Sequence, residues 1–207
     1  MSITRSNWFE GWRLFALLML TLTALSLWIA GMRGSDVEGT RMVIRFTART
    51  SLLFFCLAFS ASALARLWPN AWTQWQRRNR RYLGVTFAGS HALHAVAIIA
   101  FAVLDPAGFV ASTSVVTYVF GAIGYAIIIA MATTSFNRTA LAIGPRAWRA
   151  LHLSGSYFLW AQLMVSFGKR VPAMPLYAIF LVPLLAVMAV RLIAVVSSRS
   201  PRMARAG

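Results

Sequence analysis

The stretch YLGVTFAGSHALHAVAIIAFAVL, residues 82–104, runs from Tyr82 to Leu104 without one Asp, Glu, Lys or Arg. An α-helix rises ~1.5 Å per residue, so a run of this length crosses the ~30 Å hydrocarbon core of a bilayer. A helix satisfies every backbone N–H and C=O within one segment, which a lone strand or loop in lipid does not. Further apolar runs lie on either side, at about 13–32, 46–66, 114–134, 148–168 and 175–196. Together they predict an all-α integral membrane bundle of six transmembrane helices, with residues 1–207 forming a single transmembrane domain.

The breaks between runs have local causes. Asp105-Pro106 ends the third run, Gly144-Pro145 precedes the fifth, and Pro172 and Pro175 bracket a turn before the sixth. The segment 67–81 sets Trp68, Trp72 and Trp75 ahead of Arg77, Arg78, Arg80 and Arg81, as expected at headgroup level. The first run is longer than the ~7–15-residue core of a signal peptide, so it is expected to stay in the mature protein.

Composition agrees with a membrane protein: 59% of residues are hydrophobic and 12% charged, against roughly 25% charged in soluble domains. Lys and Arg number 20 against 4 acids, a net charge of +16. Such a balance raises the question of nucleic acid, but the cations sit in short clusters between apolar runs. That pattern marks cytoplasmic loops and contact with membrane lipid, and no nucleic-acid partner is expected. Counted on alternate sides of the six spans, 14 cations fall on the side of the termini and 6 on the other. Both termini are therefore expected in the cytoplasm, with loops near 33–45, 105–113 and 169–174 outside, in a multi-pass protein of the bacterial inner membrane. The single cysteine, Cys56, lies within an apolar run, so neither a disulfide nor a cysteine metal cluster is expected.

The three histidines, His91, His94 and His152, all fall within expected spans. Polar side chains at that depth are functional-site candidates, and imidazole is a common axial ligand of haem iron. His91 and His94 share one face of the third helix, and His152 lies near the start of the fifth. The other reading of the same residues is hydrogen bonding between packed helices. Paired carboxylates, a glycine-rich phosphate loop and a nicotinamide or flavin fingerprint do not occur, so nucleotide, flavin or quinone chemistry is assigned to a partner.

Several segments resemble a known family. Arg45-Phe46-Thr47-Ala48-Arg49-Thr50, followed by Arg80-Arg81-Tyr82-Leu83-Gly84 with His94 ten residues after the glycine, is similar to the second and third helices of the ferric reductase-like transmembrane family. Thr134-Ser135 through Gly144-Pro145-Arg146, with Trp148 and Leu151-His152, is similar to that family's fourth loop and fifth helix. The nearest resemblance is to the haem-binding membrane subunits of bacterial periplasmic methionine sulfoxide reductase systems, over about residues 40–195. It implies a membrane cytochrome with one haem b or two, passing electrons from a cytoplasmic flavin or quinol donor to an outer-face acceptor. A redox partner protein or a larger membrane complex is implied with it.

One position departs from the family. On the fifth helix a second histidine is usual about 13 residues after the first, where this chain has Val165 beside Met164. Met164 is thus a candidate axial ligand, and a thioether would raise the reduction potential relative to a histidine pair. Depth bears on the pairing too. At ~1.5 Å per residue, His94 lies about 20 Å beyond Arg81 and His152 about 5 Å beyond Arg149, so pairing His91 with His152 is geometrically easier than pairing His94. The family pattern points to His94, and both stay as candidates. Arg77, Arg78, Arg80, Arg81 and Arg149 at the cytoplasmic ends are candidates to pair with haem propionates, and so are Arg45 and Arg49, four residues apart on one face at the outer end. The rival readings are a non-catalytic subunit anchoring a larger complex and a small-solute transporter. No internal repeat supports the second.

Overall fold

A computed structural model describes residues 8–32 and 36–203, with side chains to Ser198. Arg5, Arg33 and Arg205, which entered the charge count, and both chain ends lie outside the described residues, as do the side chains of Arg199 and Arg202. Among the described residues the regular structure is all helical, without strands. It comprises α1 (Gly11–Met32), α2 (Val37–Leu67), α3 (Ala71–Arg78), α4 (Arg80–Leu104), α5 (Pro106–Ser112), α6 (Val115–Thr133), α7 (Asn137–Gly168), a 3-10 helix (Pro175–Phe180) and α8 (Leu181–Met203).

Five segments are long and apolar enough to cross a membrane: Gly11–Met32, Val37–Leu67, Arg80–Leu104, Val115–Thr133 and Pro175–Ser198. They coincide, to within a few residues at the ends, with the expected runs one to four and six. The expected fifth run, 148–168, is helical within α7, but Arg149, His152, Ser154, Ser156 and Gln162 dilute its apolar character, and it does not join the five. The loops also differ from expectation. Residues 37–45 belong to α2, 71–78 form α3, and 106–112 form α5. The Asn70 and Thr73 side chains cap α3 reciprocally, and Asp105 accepts from the backbone N–H of Gly108 to start α5.

The described chain forms two compact units, one comprising residues up to Phe54 with Arg81–Ala122, the other Phe55–Arg80 with residues from Ile123 onward.

In the first unit, α2 and α4 are joined by hydroxyls. Ser51 donates to the Ser90 Oγ at 3.0 Å, the Thr50 and Ser90 hydroxyls meet at 2.9 Å, and Ser90 donates to the Thr47 carbonyl at 3.2 Å. Thr47, Ser51 and Ser90 are fully buried. Such contacts between membrane helices contribute about 0.6 kcal/mol each on average. At one end of α4, Tyr82 meets the Trp12 ring edge-on. At the other, Phe101 packs on Phe109 of α5, and Phe109 on Tyr118.

In the second unit, Gln76 of α3 is buried and donates to the Leu57 carbonyl of α2 at 2.7 Å. α7 bends at Gly144, whose φ of +78° suits a residue without a Cβ, and Pro145 restarts the helix. Beyond the bend α7 approaches α6 closely. A Cβ on Gly155 would lie 2.9 Å from Ile127 Cγ2 and 2.7 Å from Met131 Sδ, so the small residue is what lets the helices meet. Trp160 donates to the Leu184 carbonyl of α8 at 2.9 Å.

Candidate functional site

His94 belongs to the first unit, on the α4 face that packs against α2. Its Nδ1 lies 3.1 Å from the Ile44 carbonyl oxygen and 3.0 Å from Thr47 Oγ1. A carbonyl oxygen only accepts, so Nδ1 carries the proton. The Thr47 hydroxyl spends its own proton on the Val43 carbonyl at 2.7 Å, which leaves its oxygen as a second acceptor for Nδ1. The neutral ring therefore has its lone pair on Nε2. A protonated Nδ1 anchored on a backbone carbonyl is the support commonly found behind a metal-ligating imidazole. The His91 ring lies 5.4 Å from that of His94, and Phe87 lies 5.3 Å from His91. Side by side on one helix face, His91 and His94 do not occupy opposite sides of one iron.

His152, in the second unit, is held the other way round. Thr134 donates its hydroxyl proton to the Ala130 carbonyl at 2.6 Å, so the 3.1 Å contact between Thr134 Oγ1 and His152 Nε2 has the imidazole as donor. The ring stacks on Trp148 at 4.3 Å, and Trp148 Nε1 donates to the Thr134 carbonyl at 3.0 Å. His152, Trp148 and Thr134 thus close the α6–α7 junction, with the nitrogen that most simply reaches a metal engaged in a hydrogen bond. Met164, half-buried on the same helix, is twelve residues further along, about 18 Å away at ~1.5 Å per residue. One iron does not take both.

His152 also borders a cleft of about 340 Å³ in the second unit, which four arginines enter: Arg66 of α2, Arg80 of α4, Arg149 of α7 and Arg191 of α8. Their partners are neutral. Arg66 donates to the Ala194 carbonyl at 3.3 Å and Arg80 to Ser62 Oγ at 3.2 Å. Arg191 donates to the Phe59 carbonyl at 2.9 Å, and its guanidinium lies 4.1 Å from the centre of the Phe59 ring and 5.0 Å from that of Tyr157. All four acids of the chain belong to the first unit.

The other expected site residues are dispersed. Arg45 forms an exposed ion pair with Glu38 at 3.1 Å, so part of its hydrogen-bonding capacity is already used. Arg49 and Arg81 are exposed on α2 and α4. Sequence reasoning passed over Arg66 and Arg191 as topology markers. The position of Arg191 inside an apolar run, rather than at its end, was the available signal. The hydroxyls of Thr47, Thr50 and Ser51 were likewise legible as an i, i+3, i+4 set on α2. Comparison with protein-family models, with curated proteins and with solved structures returned no match.

Proposed function

We infer that this chain is a membrane b-type cytochrome of the ferric reductase-like kind, with His94 ligating haem iron through Nε2. The observation that carries the reading is the Ile44 carbonyl on His94 Nδ1, which holds the ring in the tautomer a ligand needs. Bound haem supplies one-electron redox chemistry, and the protein's part is to fix the axial ligand, its basicity and the surrounding polarity. On this reading the chain passes electrons across the bacterial inner membrane between a cytoplasmic flavin or quinol donor and an outer-face acceptor, each held by a partner.

The reading includes six spans with both termini cytoplasmic, α7 supplying the fifth in chain order. From Pro145 to Gly168, α7 measures about 36 Å at ~1.5 Å per residue, enough to cross the hydrocarbon core. Single cysteines at Ser112 and Arg77, both exposed, provide the topology test, because the native Cys56 is buried. Membrane-impermeant labelling of intact cells should reach position 112 and spare position 77. Equal labelling of both would sink the six-span arrangement.

The haem test is an absorption spectrum of the detergent-solubilised protein from haem-replete cells, with reduced b-type bands expected. A colourless preparation that haem does not reconstitute would transfer the assignment to a non-catalytic membrane subunit. That second reading has its own support: Val165, where the family usually carries a further histidine, is 66% exposed rather than turned into the packed interior.

A further inference from the structure

We propose that the arginine cleft of the second unit is a binding site for the phosphodiester headgroup of an anionic phospholipid. Arg66, Arg80, Arg149 and Arg191 converge there from four helices onto about 340 Å³. Like charges gathered without a carboxylate repel one another, and the protein's own acceptors engage only part of their donors. Arg66, Arg80 and Arg191 each reach a neutral oxygen, and a guanidinium has five N–H donors, so donors remain on all three. The Ser62 hydroxyl accepts from Arg80 and keeps its own proton to donate.

An anion with several acceptor oxygens would satisfy these donors, and the second unit contains no acid of its own to do so. Phosphate oxygens match the guanidinium fork in pairs. A free anion and a lipid headgroup share this chemistry, and the walls favour the lipid. Leu153, Ala194 and Val195 line the cleft beside the charges, while Arg66, Arg80 and Arg149 are exposed at its mouth. Acyl chains would follow the apolar side as the headgroup meets the arginines. Basic pockets between membrane helices bind anionic headgroups in this way. The inference does not depend on the haem reading.

The test uses the full-length protein, delipidated in detergent and returned to nanodiscs. Binding of phosphatidylglycerol is measured by native mass spectrometry against phosphatidylcholine, with inorganic phosphate as competitor. Arg66→Gln/Arg149→Gln removes two of the cations and is expected to weaken phosphatidylglycerol binding about thirtyfold. Arg77→Gln/Arg146→Gln, which changes net charge equally at exposed positions outside the cleft, should leave it within about twofold, since charge dispersed over the surface makes no bidentate contact. Equal loss in both double variants would reduce the effect to general surface charge and overturn the proposal. Equal binding of phosphatidylcholine would also overturn it, and so would millimolar phosphate displacing the lipid completely, which would make the cleft a free-anion site. Unchanged melting temperature of Arg66→Gln/Arg149→Gln without lipid is the folding control. If that control fails, Arg149→Gln alone, whose side chain holds no protein hydrogen bond among the described residues, should still lose about fivefold, and full affinity there would overturn the site.

Discussion

His94 of α4 donates its Nδ1 proton to the carbonyl oxygen of Ile44 on α2, fifty residues away in the chain, across 3.1 Å. Carbonyls of an α-helix ordinarily serve the helix itself, and a second lone pair is what Ile44 offers here. The contact ties the orientation of one imidazole to the packing of two helices.

Under the proposed function, His94→Ala is expected to abolish the b-type spectrum. Thr47→Val, which keeps the ligand and removes one of two acceptors behind Nδ1, should weaken haem retention about tenfold and lower imidazole basicity. Haem titration and the midpoint potential of the reduced protein check both. Full haem content in His94→Ala would remove this residue from the site.

Under the proposed function, His152→Ala should retain haem binding and lose stability. The substitution removes the stack on Trp148 and the hydrogen bond to Thr134, together costing about 1–2 kcal/mol. Thermal unfolding followed by tryptophan fluorescence gives the loss, and the haem spectrum gives the separation from His94. Loss of haem at unchanged stability would make His152 a ligand after all.

Ser90→Ala disconnects three hydroxyl contacts between α2 and α4 at once. Their sum is expected at about 1–2 kcal/mol, since hydrogen bonds between membrane helices average ~0.6 kcal/mol. A melting temperature unchanged from the parent protein would show that Thr50 and Ser51 find other acceptors.

Two glycines separate close packing from helix propensity. Gly155→Ala presses a methyl group onto Ile127 and Met131 and should destabilise by about 1–3 kcal/mol. Gly121→Ala, in α6 with nothing within 4 Å of the new Cβ, should stabilise by up to about 1 kcal/mol. Melting temperatures that move in the same direction would contradict the tight α6–α7 approach.

Much of this architecture can be read from the chain. Long apolar runs such as 82–104 need no tertiary information, because bilayer thickness alone sets their length. α7 was harder. Gly144-Pro145 reads as the end of a loop, whereas the helix resumes on both sides of a single residue at φ +78°. The shared face of His91 and His94 follows from three-residue spacing, but the choice between them needs Ile44, and no local pattern pairs residues 44 and 94. The arginine cleft was hidden for a similar reason. Arg66, Arg80, Arg149 and Arg191 each mark the end or interior of a different helix, and only folding makes them neighbours.

Arg191 offers a last contrast with Arg45. The Arg45 bridge to Glu38 is solvent-exposed and therefore open to screening by salt. Arg191 instead rests on the Phe59 and Tyr157 ring faces and a backbone oxygen, none of which carries a formal charge. High ionic strength should therefore leave this tie between α8 and α2 in place while it weakens the exposed ion pair.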